Sequence, residues 1–176
     1  MEEILIVDGY NLIGAWPELS RLASIRLEDA RDKLIEELAD YQSYSGKKVI
    51  VVFDAHQVPG PGAKLKTSRV DVRYTREKET ADELIERLVG ELKRRTRRIY
   101  VATSDLTEQR VTFGKGALRL SARELLIDMK ACKQEMEQEI DRYQAKVRNT
   151  FSSKIPLEFR ALFEKWRRGG QDDPKG

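Results

Sequence analysis

The sequence has one cysteine, Cys132, and one histidine, His56, among its 176 residues. A lone cysteine excludes an internal disulfide and any zinc site built from several thiolates. A lone histidine excludes chemistry that pairs two imidazoles. No apolar run approaches the roughly 20 residues that cross a bilayer. The longest such runs, around Ile4–Val7 and Val49–Phe53, are strand-sized. Met1-Glu2-Glu3 is acidic where a secretory leader would be basic, and a strand-like run follows at once. Charge of one sign is lacking too, since 33 Lys+Arg against 30 Asp+Glu leave a net charge of +3. The expectation is a soluble cytoplasmic domain with no membrane partner, whose catalytic options are mostly carboxylates. A length of 176 residues suits one domain with its own core.

Ile4-Leu5-Ile6-Val7 reads as a strand buried on both faces and runs into Asp8. From Leu27 the spacing turns helical, with Leu27, Ala30, Leu34, Leu38 and Tyr41 on one stripe and Gly46 placed as a C-terminal cap. Lys48–Phe53 is a second buried strand, followed by Asp54. Strand, helix, strand predicts a βαβ unit with a right-handed crossover. The segment 55–69 contains Pro59, Gly60, Pro61 and Gly62 and reads as a long loop.

Val70, Val72 and Tyr74 alternate with polar residues as an edge strand would. Thr80 and Glu83 have capping-box spacing before a helix bearing Leu84, Ile85, Leu88, Val89 and Leu92. Ile99–Thr103 is a further strand, with Asp105 just beyond it. A turn-rich connection marked by Gly114 and Gly116, with a short strand near Val111–Phe113, leads to a second capping box, Ser121 and Glu124. That box predicts a long helix towards Arg148, with Leu125, Met129, Cys132, Met136, Ile140, Tyr143 and Val147 on its apolar stripe. Pro156 would open a last helix carrying Phe159, Leu162, Phe163 and Trp166. The expected organisation is one α/β domain over residues 1–168, with a C-terminal helical extension from about 121 to 168 and a disordered tail at 169–176. A monomer is the favoured state, with self-pairing of the long helix left open.

Three strand-like runs thus end in or near an aspartate, at Asp8, Asp54 and Asp105, and Asp82 opens the helix before the last of them. In open parallel sheets, ligands bind beyond the carboxyl ends of the strands. Each acid alone could cap a turn or a helix start. Together, carboxylates converging on one cleft repel, and must take up a proton or a cation. Mg2+ or Mn2+ accepts such oxygen ligands and supports water attack at phosphorus. Basic residues near the acids would hold phosphates: Lys93, Arg94, Arg95, Arg97 and Arg98 form one set, Lys64, Lys66 and Arg69 a second, and Lys165, Arg167 and Arg168 a third. Asn11, Thr103 and Ser104 are supporting residues placed to orient Asp8 and Asp105.

Val7-Asp8-Gly9-Tyr10-Asn11, Val52-Phe53-Asp54-Ala55, Glu79-Thr80-Ala81-Asp82-Glu83 and Ala102-Thr103-Ser104-Asp105 together resemble a NYN domain, a branch of the PIN-like nucleases. The resemblance is to its YacP-type bacterial members. Gly14-Ala15-Trp16-Pro17, Gly114-Lys115-Gly116-Ala117-Leu118-Arg119 and Phe163-Glu164-Lys165-Trp166-Arg167-Arg168 extend it to about Arg168.

The resemblance implies a PIN-like, Rossmann-like fold and a metal-dependent endoribonuclease that associates with the ribosome and cuts messenger RNA in the A site. It carries the acidic cluster onto Asp8, Asp82, Asp105 and Asp54, and the first motif's asparagine onto Asn11. Metal-activated water would leave a 5′-phosphate. Two other readings stay open: a ribosome- or RNA-binding module of the same fold that does not cut, and a metal phosphohydrolase for a small substrate. Against the last, no phosphate-cradling Gly-rich loop follows the first strand, and no aspartate stands two residues after Asp8.

Overall fold

The computed structural model describes residues 1–57, 69–105, 115–154, 159, 161, 162 and 164. Two compact units divide the chain, Met1–Lys133 and Gln134–Gly176. In the first, β1 (Glu2–Asp8) leads through α1 (Gly9–Ala15), α2 (Pro17–Ile25) and α3 (Leu27–Ser45) to β2 (Lys48–Phe53). Then come β3 (Asp71–Tyr74), α4 (Ala81–Leu92), β4 (Arg97–Ala102), β5 (Leu118–Leu120) and α5 (Ala122–Lys154), which continues into the second unit.

All strand pairs are parallel, in the order β3-β2-β1-β4-β5. The chain therefore builds outward from β1 on one side, then crosses back to place β4 against β1's other edge. That reversal opens a crevice between the carboxyl ends of β1 and β4, where α/β sheets bind ligands.

The continuous apolar runs of β1 and β2 are explained by helices on both faces. Leu5, Val7, Val49, Val51 and Phe53 pack with Leu12, Leu34, Leu38 and Leu125 on one side. Ile4, Ile6, Ile50, Val52, Ile99 and Val101 pack with Leu84, Ile85, Leu88 and Val89 of α4 on the other. Each such buried side chain contributes about 1.5–3 kcal/mol. Gly46 ends α3 at φ 70°, the left-handed conformation its position suggested.

The start of α5 is tied to the sheet unit at two points. The Trp16 indole N–H donates to the Ala122 carbonyl at 2.8 Å. Tyr41 and Asp128 share a short hydrogen bond that Lys47 Nζ joins, at 2.9 Å from the Tyr41 hydroxyl. Burial first, and the adjoining Asp128 carboxylate, push the Tyr41 hydroxyl up to about 12, so it stays a donor.

The structure departs from the sequence reading in several elements. The residues after Asp8 form α1 and α2, for which only Pro17 at a first-turn position gave a signal. The short strand beyond β4 is β5, three residues long, after Gly116 at φ 88°. The expected strand near Val111–Phe113 lies outside the described residues. So do Pro156, Phe163, Trp166 and the tail at 169–176. The apolar stripe of α5 is buried only at its start: Leu125 is fully covered, and Met129 and Cys132 partly. Ile140, Tyr143 and Val147 of α5 are exposed, as are Phe159 and Leu162 beyond it. Among the described residues, no helix is long and apolar enough to cross a membrane.

Candidate active site

Asp8 ends β1 and begins α1, so one residue is both the last of a buried strand and a helix cap. Its Oδ1 accepts the Asn11 backbone N–H at 3.3 Å. The Asn11 side chain is turned elsewhere: its Oδ1 accepts the Ser104 N–H at 2.7 Å, across the crevice from β1 to the end of β4. Asn11 therefore supports both acids, one through its backbone and the other through its amide. On the far side, fully buried Thr103 accepts the Asp105 N–H through its hydroxyl at 3.1 Å, fixing the turn that presents Asp105.

Asp82 sits in the first turn of α4, whose N-terminus reaches the same sheet edge. Thr80 and Glu83 close a reciprocal cap there, at 3.0 and 3.2 Å. Thr80→Ala is expected to cost about 1 kcal/mol in urea unfolding and to loosen the turn that carries Asp82. An unchanged midpoint would refute that.

These carboxylates feel one another. Burial pushes the Asp8 carboxyl up to about 6, and the charges of Asp82, Asp105 and Asp54 add to the rise against the opposing Asn11 N–H. Asp82 is raised as well, by desolvation first and then by Asp105 and Glu83. Asp54 stands on the β2 side, where its Oδ1 accepts the His56 N–H at 2.9 Å and the Thr75 hydroxyl at 3.4 Å. Asp8, Asp82 and Asp105 thus surround the crevice, and Asp54 flanks it.

Among the described residues, no three Asp, Glu, His or Cys side chains converge tightly enough to cage one ion. The donor chemistry still fits a hard divalent cation, because all the donors are carboxylate oxygens and Asp8 is ionised at a cost. Mg2+ commonly takes only one or two carboxylates and fills its shell with water and substrate phosphate.

The profile of the family described as YacP-like NYN domain matches residues 5–168. The chain belongs to that family. It is 49% identical over 172 residues to "Uncharacterized protein YacP" of Bacillus subtilis (strain 168), covering 97% of this chain and 99% of that one. A crystal structure of Rae1 (YacP) from Bacillus subtilis superposes with a TM-score of 0.73 at 50% identity, over 94% of this chain and 95% of that one. A mutant of the same protein gives 0.68 at 47% identity, over 88% and 86%.

Of the basic residues singled out in the sequence, the described ones, Lys93, Arg94, Arg95, Arg97, Arg98 and Arg69, lie away from the acidic crevice. Lys93 caps the end of α4, and Arg97 and Arg98 begin β4, opposite Glu2 and Glu3 at the start of β1. The length of β4, six residues, separates them from the acids by about 20 Å. Arg97 bonds Glu2 at 2.6 Å, Arg98 lies 3.4 Å from Glu3, and Lys93 Nζ donates to the Lys115 carbonyl at 2.8 Å. Parallel strands carry their amino ends on one edge and their carboxyl ends on the other, so this set and the acids face opposite ways. Arg94 and Arg95 are exposed on that same amino-terminal side.

Arg69 precedes β3 on the amino-terminal edge too, where its carbonyl accepts the Gln42 amide at 3.0 Å. Lys64, Lys66, Lys165, Arg167 and Arg168 lie outside the described residues. Sequence reasoning missed Arg31, Tyr10 and Thr75. Arg31 gave a signal, as a charged residue beside Ala30 and Leu34 on the inward stripe of α3, and it is 4% exposed. Thr75 gave none.

Proposed function

We propose that this NYN domain is a divalent-metal-dependent endoribonuclease whose site is the crevice between β1 and β4. The observation that carries the reading is Asp8, a carboxylate at a ligand-binding edge that burial first, and then the charges of three other acids, drive upward. An isolated capping aspartate gains stability from being charged, whereas this one loses it, and a bound cation reverses the sign. Asp8, with Asp82 or Asp105, would hold Mg2+ or Mn2+, which supplies Lewis acidity and an activated water at phosphorus. The chain's own part is placement. Asn11 ties the Asp8 turn to the Asp105 turn, and the Thr80–Glu83 cap fixes Asp82. His56 is exposed and stands alone, so it offers no imidazole pair for attack by the 2′-hydroxyl.

The finer reading is that the protein associates with the ribosome and cuts messenger RNA in the A site. Its support is the family resemblance, together with exposed Arg94 and Arg95 on the edge away from the acids. A chain with acids on one edge and cations on the other can meet a message and ribosomal RNA at once. The absence of a closed three-acid cage among the described residues favours a second reading, an RNA-binding module that does not cut.

Two arms separate the readings. On free single-stranded RNA with Mn2+, cleavage is expected to stop with EDTA and return with excess metal. On a translated message, where a chelator would dismantle the ribosome itself, the Asp8→Asn protein serves as the control. Cutting at the same rate with chelator on free RNA, or by Asp8→Asn on ribosomes, refutes the metal site. A lack of cutting in both arms, by protein that still binds the RNA or the ribosome, favours the binding module.

A further inference from the structure

Two tyrosines and a buried arginine beside the crevice have no part in the reading above. Tyr10 follows Asp8 by two residues, and its ring meets Phe53 edge-on with centroids 5.1 Å apart. Phe53 in turn stacks on Tyr74, at the end of β3, at 6.0 Å and 30°. Rings from α1, β2 and β3 therefore form a row along the carboxyl edge of the sheet. Phe53 is fully buried, while Tyr10 and Tyr74 each keep part of their surface in solvent. Core packing accounts for Phe53. Tyr10 and Tyr74 pack against the rim of that core and stay only half-buried, at the edge where the carboxylates gather.

Tyr10 is held from behind. Arg31 Nη1 lies 3.4 Å from the Tyr10 hydroxyl, and among the described residues this is the arginine's one hydrogen bond. A guanidinium has five N–H donors, and burying it against a single neutral oxygen works against folding. Such a cost persists where a site needs the geometry it enforces.

We propose that Tyr10 and Tyr74 form a stacking platform for an unpaired base of single-stranded RNA beside the phosphate that is cut, with Arg31 as the positioning residue that holds Tyr10. The ligand rests on the RNA-cutting reading; the site rests on the aromatic row. Every base has a π-face, so aromatic stacking seats single strands without reading their sequence. Bases in a duplex already stack on one another, so the platform selects unpaired RNA. Tyr10 stands within one helical turn of Asp8, and a base seated on it brings its own phosphate to the carboxylates.

The test measures binding, not cutting, with full-length Asp8→Asn protein, a short labelled single-stranded RNA, and matched RNAs lacking one base at successive positions. Removing the stacked base is expected to weaken binding about 5- to 100-fold. Adding Tyr10→Leu weakens binding of intact RNA by a similar factor and erases the penalty for the missing base. Tyr74→Leu, on a different element, does so in part, and Tyr10→Phe, which keeps the ring, retains the penalty. Arg31→Met, close in volume, keeps or raises the Tm while weakening RNA binding several-fold, a separation that a purely structural arginine would not show. Equal binding of intact and base-lacking RNAs, unchanged binding by folded Tyr10→Leu, preference for duplex RNA, or no binding of single strands each overturns the platform. A retained base penalty without any cleavage by the wild type sinks the nuclease reading and leaves the platform standing; cleavage without the penalty does the reverse.

Discussion

Asp8→Asn is expected to abolish RNA cleavage, by about 1,000-fold or more, and to leave the metal-free protein more stable than the wild type at neutral pH. Most inactivating substitutions at buried positions destabilise, so the combination is diagnostic. The Asp8 carboxyl is raised from 3.8 to about 6 in the folded chain, by burial and then by its acidic neighbours. An unfolded chain releases that proton near pH 4, whereas the folded chain keeps it until about pH 6. Between those values the folded state binds more protons, so this group's contribution to stability falls as pH rises through the window. The full loss at pH 7 amounts to about 3 kcal/mol.

Asparagine cannot ionise, so the variant should lack that slope. It caps a helix about as well as aspartate, so α1 is kept. Urea unfolding in EDTA at pH 4.5 and pH 7 measures the difference, and Mn2+ should raise the Tm of the wild type alone. A variant that cuts normally, or that loses stability with pH as the wild type does, refutes the assignment of Asp8.

Gly9→Ala should destabilise the protein by about 1–3 kcal/mol and impair cleavage with it. A Cβ at Gly9 would stand 2.2, 2.6 and 2.9 Å from three atoms of the Phe53 ring. That ring is fully buried, with Tyr10 at its edge and Tyr74 on its face, so it has no free direction of retreat. Relief comes from lifting the first turn of α1, which carries Asp8 as its cap and Tyr10 and Asn11 within it. Glycine is not needed there for its backbone angle, since Gly9 is not among the positive-φ glycines. Helix propensity alone would reward the alanine by about 1 kcal/mol. Gly14→Ala is the control in the same helix, because a Cβ there meets nothing within 4 Å. It should leave cleavage intact and stabilise slightly. A Gly9→Ala protein as stable and as active as the Gly14→Ala protein would show that the Phe53 ring yields.

Much of the scaffold was legible because it is encoded locally. The runs at residues 4–7 and 49–53 read as strands covered on both faces, as in a parallel sheet between helices. The spacings Thr80 to Glu83 and Ser121 to Glu124 formed the reciprocal caps they suggest. The helices after Asp8 were harder to read, since α1 is seven residues long and is anchored by contacts distant in sequence. The apolar stripe of α5 marks where local signals stop: helical spacing places side chains on one face without saying whether anything covers that face.

By itself the sequence determined that the chain is an α/β domain and that aspartates stand at the ends of its strands, because strand and cap signals act over a few residues. Only the tertiary structure decided that β1 lies between β2 and β4, that Asp8 is buried among three other acids, that Lys93–Arg98 faces away from them, and that Arg31 holds Tyr10. Those relations depend on which strands become neighbours and on which edge each loop emerges, and no spacing along the chain carries that information.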